Sequence, residues 1–334
     1  MKSDAVDSTR TRWSARELVA YFGGLAEAHP REVLYCPNPG NAGDSLIAQG
    51  TYTAFRRAGL RYRSMAWDEP VDSTGRVVMY GGGGNLTIDY SYARSFVSRH
   101  HKRAARLVVL PHTINGHADV LADLGSNVDL FCRERRSYNW VQEKAPGANV
   151  YLADDLALHA DVEALRGDVR GAMPLAGEIA WTVMRATAKR TFGRAPGQGE
   201  VIPLRAALRH GRAAVRNMIA RPTGDTLFAL REDVEAAGGA LPPHNVDLSQ
   251  IFAYGTTPGA VAYRATRALL SYIDRFDHVV TNRLHVGIPA AMLGKRVDFY
   301  ANSYYKNKAI YAFSLRDQYP NVTWRGTWLG ADSL

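Results

Sequence analysis

A short apolar strand that runs directly into a helix constrains the fold of this chain most, and it occupies residues 279–294. Residues 279–281 (Val-Val-Thr) are β-branched, which favours a buried strand. Residues 286–294 favour a helix that ends at a glycine. Arg283 and His285 therefore lie between the carboxyl end of a strand and the start of a helix, where ligands bind in open α/β sheets.

These two side chains suit an anionic ligand and proton transfer. The start of a helix attracts anions through its free N–H groups and its positive dipole end. The planar guanidinium of Arg283 matches a carboxylate or a phosphate, and His285 can gain or lose a proton near neutral pH. The spacing leaves an alternative open, in which Arg283 pairs with a structural carboxylate and His285 caps the helix.

A second strand, loop and helix occur near the N-terminus. Residues 33–36 are predicted to form a strand, and a glycine-containing loop leads from it to a helix that begins at about Ser45. Glycines in such a loop bring backbone N–H groups close to a ligand. The loop matches neither the Walker sequence nor G-x-G-x-x-G. Asp44 either caps this helix or accepts a proton from a sugar hydroxyl.

Two further strand ends carry candidate ligand-binding residues. Four glycines at 81–84 follow a predicted strand, and such a run is entropically costly unless the backbone approaches a ligand closely. We therefore expect Gly82 and Gly83 to line a binding site. Arg133 follows the predicted strand at 128–132 and places another charge at a carboxyl end.

Strands alternate with helices along the chain, which predicts an α/β fold with parallel sheets covered on both faces. Each candidate site falls at the carboxyl end of a strand, and we expect these ends to share one cleft. We divide the chain into an N-terminal domain (1–160), a basic helical connector (161–222) and a C-terminal domain (223–334).

The composition limits the class of protein. Hydrophobic residues make up 46% of the chain and charged residues 22%, as in ordinary soluble globular proteins. The sequence has no apolar run of about 18 residues and no apolar core of a secretory signal at its start, so we expect a cytoplasmic enzyme. The net charge of +9 attracts anions, among which nucleic acid, anionic membranes and phosphorylated substrates all fit.

Several of these segments carry, in the same order, the motifs of one family. They are Gly-Asn-Ala-Gly-Asp (40–44), the glycine turn (81–84), Arg-Glu-Arg-Arg-Ser (133–137), a strand that ends at Arg231, Thr-Asn-Arg-Leu-His (281–285) and Tyr-Tyr-Lys (304–306). Together they resemble the polysaccharide pyruvyl transferases. One position departs from the family, because His112 stands where glutamine is usual.

The resemblance implies a fold and a reaction. The fold would be two Rossmann-like domains that face each other across a cleft, the arrangement called GT-B. The reaction would transfer pyruvate from phosphoenolpyruvate onto two hydroxyls of one sugar, which forms a cyclic ketal and releases phosphate. The acceptor would be a saccharide of an exopolysaccharide or cell-envelope glycan, either free or lipid-linked.

The resemblance also assigns roles to the candidate residues. We expect His285 and Asp44 to share the acid and base steps from opposite domains, with the division between them open, and Arg283 to act with them. No metal and no cofactor besides the co-substrate are expected, since arginines can neutralise the donor's charge. The predicted donor-binding residues are Arg231, Arg133, Arg283, Asn41, Gly43, Gly82, Gly83 and Lys306.

The motifs also fit another enzyme class, and the basic residues of the chain bear on two kinds of partner. A glycosyltransferase with a nucleotide-sugar donor would use the same fold. A nucleic-acid-binding protein would need aromatic residues among its basic ones, and residues 185–221 contain only Phe192. That segment has nine basic residues against one acid, Glu200. It is either a solvated linker or a surface for an anionic membrane, which would place the enzyme at the inner face.

Overall fold

A computed structural model describes residues 12–167, 174–195, 201–220 and 225–330 of the chain. The chain divides into two compact units. Unit 1 consists of Met1–Cys36 and Ala54–Asp155, and unit 2 consists of Pro37–Thr53 and Leu156–Leu334. The segment Pro37–Thr53 therefore groups with the C-terminal half and not, as the sequence predicts, with the N-terminal domain.

Unit 1 contains a seven-stranded parallel sheet. Its strands are β1 (Val33–Cys36), β2 (Tyr62–Ser64), β3 (Val77–Tyr80), β4 (Gly83–Thr87), β5 (Arg106–Asn115), β6 (Val128–Cys132) and β7 (Asn149–Leu152). They lie in the order β2-β1-β3-β5-β6-β7, and β4 pairs with β5. Every residue of β1, β3 and β6 is buried, as a parallel sheet covered on both faces requires.

Four helices and the end of a fifth belong to unit 1 in the described ranges. They are α1 (Ala15–Ala28), the end of α2 (Ala42–Arg57), α3 (Tyr92–His100), α4 (Ala118–Ala122) and α5 (Arg135–Lys144). A capping box holds the start of α1, where Ser14 and Glu17 are bonded reciprocally. The glycine turn does not lead directly into a helix, because its second half belongs to β4.

Unit 2 contains a four-stranded parallel sheet in the order β11-β10-β9-β8, with strands β8 (Thr226–Ala229), β9 (His278–Thr281), β10 (Arg296–Tyr300) and β11 (Val322–Gly326). Phe228, Val280 and Trp328 form part of its buried core. Each unit therefore has the predicted α/β fold with a parallel sheet.

Seven helices of unit 2 follow α2 in the described ranges. They are α6 (Val162–Gly167), α7 (Leu175–Phe192), α8 (Leu204–Ala220), α9 (Leu248–Ile251), α10 (Gly259–Ile273), α11 (Leu284–Met292) and α12 (Lys306–Ile310). A 3₁₀ turn (Leu156–His159) precedes α6, and a π turn (Tyr311–Leu315) follows α12. The predicted step from strand to helix at residues 281–284 is confirmed by β9 and α11.

The start of α2 is held by the loop before α10, which explains why it belongs to unit 2. Ser45 Oγ donates a hydrogen bond to the carbonyl of Gly255 at 3.0 Å. Tyr52 Oη donates to the carbonyl of Thr256 at 2.9 Å. These contacts join residues about 200 positions apart, and the sequence carries no local signal for them.

The basic middle segment is helical, as predicted, and it packs into unit 2 through α7 and α8. Arg185 Nη1 donates to the carbonyl of Ala253 at 2.7 Å, and Thr182 bonds to the carbonyl of Ile251. The interpretation as a solvated linker is therefore wrong for the part of this segment that the structure describes. Glu200 and Arg221 lie outside the described residues. None of the helices in the described ranges is long and apolar enough to cross a membrane.

Candidate functional site

The starts of α2 and α11 meet inside unit 2. A Cβ atom placed on Gly43 would lie 2.7 Å from Cβ of His285 and 2.8 Å from its Nδ1. Only glycine therefore fits at residue 43. Each helix start carries the positive end of a helix dipole, so two ends that attract anions lie beside one imidazole.

Asn41 and Asp44 fix the start of α2, which begins at Ala42, three residues before the predicted position. The N–H of Gly43 donates to Asn41 Oδ1 at 2.8 Å, and the N–H of Asn41 donates to Asp44 Oδ2 at 3.0 Å. Asn38 Nδ2 donates to Asp44 Oδ1 at 2.6 Å. Asp44 therefore caps the helix, which is one of the two roles that the sequence left open.

His285 is half-buried in the first turn of α11. Its backbone angles, φ −87° and ψ 21°, lie outside the helical region. We expected Asp44 and His285 in opposite domains, but the structure places both in unit 2, because the start of α2 packs against α11.

Arg283 is buried between two carboxylates. Its Nε donates to Asp247 Oδ1 at 2.9 Å, and its Nη2 bonds to Asp247 Oδ2. Its Nη1 lies 2.8 Å from Asp233 Oδ2. Burial alone would lower the pKa of Arg283, but the two carboxylates outweigh it and raise that pKa above its ordinary value. The structural carboxylate that the sequence left open as an alternative is therefore present.

Arg231 and Lys306 are paired in the same way. Arg231 donates from Nε to Asp233 Oδ1 at 2.8 Å and from Nη2 to Asp233 Oδ2 at 2.9 Å. Glu235 Oε2 accepts from Arg231 Nη1 and from Lys306 Nζ, each at 2.5 Å. We call these six residues the ion-pair cluster: Arg231, Asp233, Glu235, Asp247, Arg283 and Lys306.

The charges of the ion-pair cluster cancel, since three cations face three carboxylates. Burial raises the pKa of Glu235, but Lys306 and Arg231 outweigh it and lower that pKa to about 2. Arg283 and Arg231 likewise outweigh burial and hold the pKa of Asp233 well below its ordinary value. Both carboxylates are therefore ionised at neutral pH.

Two buried amides position the ion-pair cluster. The N–H of Arg231 donates to Asn282 Oδ1 at 2.8 Å. Asn307 Nδ2 donates to the carbonyl of Asn282 at 2.7 Å and to that of Tyr300 at 3.0 Å. These bonds tie together the ends of β8, β9 and β10. Arg231, Arg283 and Lys306 thus follow three neighbouring strands and meet at one edge of the sheet.

The three carboxylates of the ion-pair cluster were not predicted as site residues from the sequence. Asp233 and Glu235 follow a strand end that already contained a candidate, so their position could have marked them. Asp247 carried no signal, because 36 residues separate it from Arg283 and only the fold brings them together.

Unit 1 holds the remaining candidates, Arg133, Gly82 and Gly83, all of them buried. Arg133 Nη1 donates to Asp155 Oδ2 at 2.6 Å, and its Nε donates to Thr113 Oγ1 at 2.9 Å. The predicted role of these three residues in donor binding stays a prediction.

His112 organises the glycine turn of unit 1. Its Nε2 accepts hydrogen bonds from the N–H groups of Asn85 at 3.0 Å and Leu86 at 3.1 Å, and its Nδ1 lies 3.2 Å from the carbonyl of Gly81. Burial and, less strongly, the charge of Arg133 lower the pKa of His112 to about 3. The ring is therefore neutral, with its proton on Nδ1, and His112 is a buried, hydrogen-bonded histidine of β5.

In the ranges that the structure describes, no group of three or more His, Cys, Asp or Glu side chains is arranged to hold a metal ion.

The chain is similar to proteins of known sequence and structure, although no protein-family model matches it. It is 28% identical over 159 residues to "Putative pyruvyl transferase EpsO" of Bacillus subtilis (strain 168), which covers 41% of this chain and 48% of that protein. The chain thus spans about half the length of this curated relative.

A solved structure matches more of the chain. It is the crystal structure of a functional uncharacterized protein, KP1_0663, from Klebsiella pneumoniae subsp. pneumoniae NTUH-K2044. The TM-score is 0.65 at 26% identity, over 92% of this chain and 98% of that one. The structural match supports the fold, and the match to the Bacillus protein confirms the resemblance to pyruvyl transferases that the motifs predict.

Proposed function

We propose that this protein is a pyruvyl transferase that moves pyruvate from phosphoenolpyruvate onto two hydroxyls of one sugar. The observation that carries the proposal is the position of His285, which stands where two helix starts converge and two residues after Arg283 of the ion-pair cluster. Anion binding and proton transfer are thereby available on one helix turn. The similarity to a putative pyruvyl transferase of Bacillus subtilis supports the transfer of pyruvate.

The reaction needs the groups that unit 2 offers. The methylene carbon of phosphoenolpyruvate gains a proton, and C2 becomes electrophilic. Two sugar hydroxyl oxygens bond to C2 in turn, and each hydroxyl loses its proton. The bond between C2 and the phosphate oxygen breaks, which releases inorganic phosphate. His285 is suited to give or take these protons. Asp44, held by Asn38 and Asn41 beside Gly43, is our second candidate for a proton acceptor.

The donor's carboxylate and phosphate need cations. Arg231, Arg283 and Lys306 supply them in unit 2, and the positive dipole ends of α2 and α11 favour the same anion. A GT-B-like pairing of two Rossmann-like domains, and donor contacts from Arg133, Gly82 and Gly83, remain part of this proposal. It assigns no cofactor and no metal.

Phosphate release tests the reaction. The protein would be incubated with phosphoenolpyruvate and a panel of oligosaccharides from bacterial exopolysaccharides, and phosphate would be measured with and without acceptor. We expect acceptor-dependent release that His285→Gln abolishes. Release of a nucleoside diphosphate from nucleotide sugars, with phosphoenolpyruvate untouched, would instead identify a glycosyltransferase.

We further propose that α7 and α8 touch an anionic membrane that carries a lipid-linked acceptor. Phe192 and Ile219 are 74% and 80% exposed on these helices. Basic and apolar side chains exposed together are typical of interfacial helices. Arg209 does not take part, because it pairs with Glu232. The exposed basic residues are Lys189, Arg190, Arg194, Arg205, Arg212 and Arg216.

A further inference from the structure

Asp233 is bound in the way that proteins bind the carboxylate of a ligand. Both of its oxygens accept from the fork of Arg231, at 2.8 and 2.9 Å, and Arg283 Nη1 lies 2.8 Å from Oδ2. Bidentate contact with an arginine fork is the characteristic geometry of carboxylate recognition. Both arginines are predicted donor-binding residues, so the protein's own carboxylate sits on the cations that the donor needs.

Glu235 marks a second anion position beside the first. Its Oε2 accepts from Lys306 Nζ and Arg231 Nη1, each at 2.5 Å, and lies 3.4 Å from Asn302 Nδ2. The two positions are adjacent, because both carboxylates bind the guanidinium of Arg231. Together they form a template for a small ligand with two neighbouring anionic groups.

The third carboxylate of the ion-pair cluster differs from these two. Asp247 is 1% exposed and occupies the Nε and Nη2 edge of Arg283, which leaves Nη1 for another anion. The side chain of Asp233 is 30% exposed and that of Glu235 is 12% exposed. Asp247 is therefore the fixed counter-ion of Arg283, and the other two carboxylates are nearer to solvent.

Asp233 and Glu235 lie on a long loop of unit 2. Residues 230–247 connect β8 to α9 without a helix or strand. Gly238 and Gly239 adopt φ angles of 84° and 86°, which glycine tolerates best, and Val234 is 90% exposed. The exposed side chain of Val234 adds almost no buried apolar surface, which lowers the cost of a small displacement at the tip of the loop.

We propose that Asp233 and Glu235 are internal substitutes for the two anionic groups of the ligand, and that the loop swings away when a small dianion binds. With both carboxylates in place the charges of the ion-pair cluster sum to zero. Without them Asp247 is the one remaining carboxylate of the ion-pair cluster, and the net charge of the four residues that remain is +2. That charge suits a ligand with one carboxylate and one phosphate. The identity of the ligand as phosphoenolpyruvate rests on the proposed function.

Affinity for dianions tests this inference in Asp233→Asn, with Glu232→Gln as the matched control. Glu232 is the preceding residue, but it pairs with Arg209 and Asn245 outside the ion-pair cluster. Both changes remove one negative charge from the loop. We expect the Kd of phosphoenolpyruvate, measured by calorimetry, to fall about fivefold or more in Asp233→Asn and less than about twofold in Glu232→Gln. Equal effects, or weaker binding in Asp233→Asn, would overturn the inference.

Two further measurements keep the test decisive. If Asp233→Asn does not fold, Glu235→Gln carries the same expectation. A fluorophore on Val234→Cys should report loop movement when phosphoenolpyruvate saturates the protein, and an unchanged signal would contradict the proposal.

The outcomes also separate this inference from the proposed function. A gain of affinity for succinate and inorganic phosphate in Asp233→Asn, in a protein that transfers no pyruvate, would support the internal substitutes and refute the transferase. Normal pyruvyl transfer, without any gain of affinity in Asp233→Asn, would support the transferase and refute the internal substitutes.

Discussion

The backbone of Gly43 lies directly against the imidazole of His285, so closely that a methyl group on residue 43 would be 2.8 Å from His285 Nδ1. This contact couples the glycine motif near the N-terminus to the histidine motif near the C-terminus, although 242 residues separate them. His285 can take its observed position only because residue 43 has no side chain.

Gly43→Ala is therefore expected to displace His285. Overpacking should reduce the free energy of unfolding by about 1–3 kcal/mol. A shift of the imidazole by about 1 Å should reduce kcat about a hundredfold. Gly24→Ala is the control, because no atom lies within 4 Å of a Cβ at that helical residue, and it should leave kcat unchanged. Normal turnover in Gly43→Ala would contradict the assigned position of His285.

The buried pair of Arg283 and Asp247 should show strong coupling. Arg283→Met leaves Asp247 buried without its partner, and we expect a loss of about 3–5 kcal/mol in urea unfolding. The double variant Arg283→Met with Asp247→Leu should recover most of that stability and none of the phosphate release. Activity that returns together with stability would show that Arg283 is only structural.

The stability of the protein should depend on His112 in weakly acidic solution. Its pKa is about 3 in the folded protein and about 6.5 in an unfolded chain, so between these values only the unfolded state binds the proton. The contribution of His112 is complete above about pH 6.5 and is lost as the pH falls towards 3, by up to about 1.4 kcal/mol per pH unit.

His112→Gln removes this titration and keeps a hydrogen-bonding side chain. Urea unfolding between pH 4 and 7, in roughly half-unit steps, should give a shallower dependence in the variant by close to one proton. Parallel curves for the two proteins would mean that His112 is not the buried neutral ring described above.

Membrane contact is tested by co-sedimentation with anionic vesicles at low salt. Each arginine near an anionic membrane contributes about 1 kcal/mol to binding. Changing Arg205, Arg212 and Arg216 to glutamate should therefore weaken vesicle binding about a hundredfold or more. Reversing Arg31, Arg56 and Arg57, which are exposed in unit 1, changes the net charge equally and should have a smaller effect. If the unaltered protein does not sediment with vesicles, α7 and α8 do not contact a membrane.

Local sequence patterns predicted the elements better than the contacts of the site. Apolar β-branched runs and glycine ends were enough to place β9 and α11, since these signals act within a few residues. The pairing of Arg283 with Asp247, and of Gly43 with His285, depends on chain segments that only the fold brings together. For the same reason the sequence left open whether Arg283 pairs with a carboxylate, and it did not identify Asp247 or Asp233 as the partners.

The most direct test of the transferase is the isotopic content of the product formed in D₂O. Transfer from phosphoenolpyruvate requires that the methylene carbon gain one proton from solvent through the protein, so the ketal methyl group should carry one deuterium. Mass spectrometry of the acceptor should show one pyruvate ketal for each phosphate released, with a single deuterium in its methyl group. An acceptor that gains no ketal while phosphoenolpyruvate persists, or a ketal methyl without deuterium, would contradict the account.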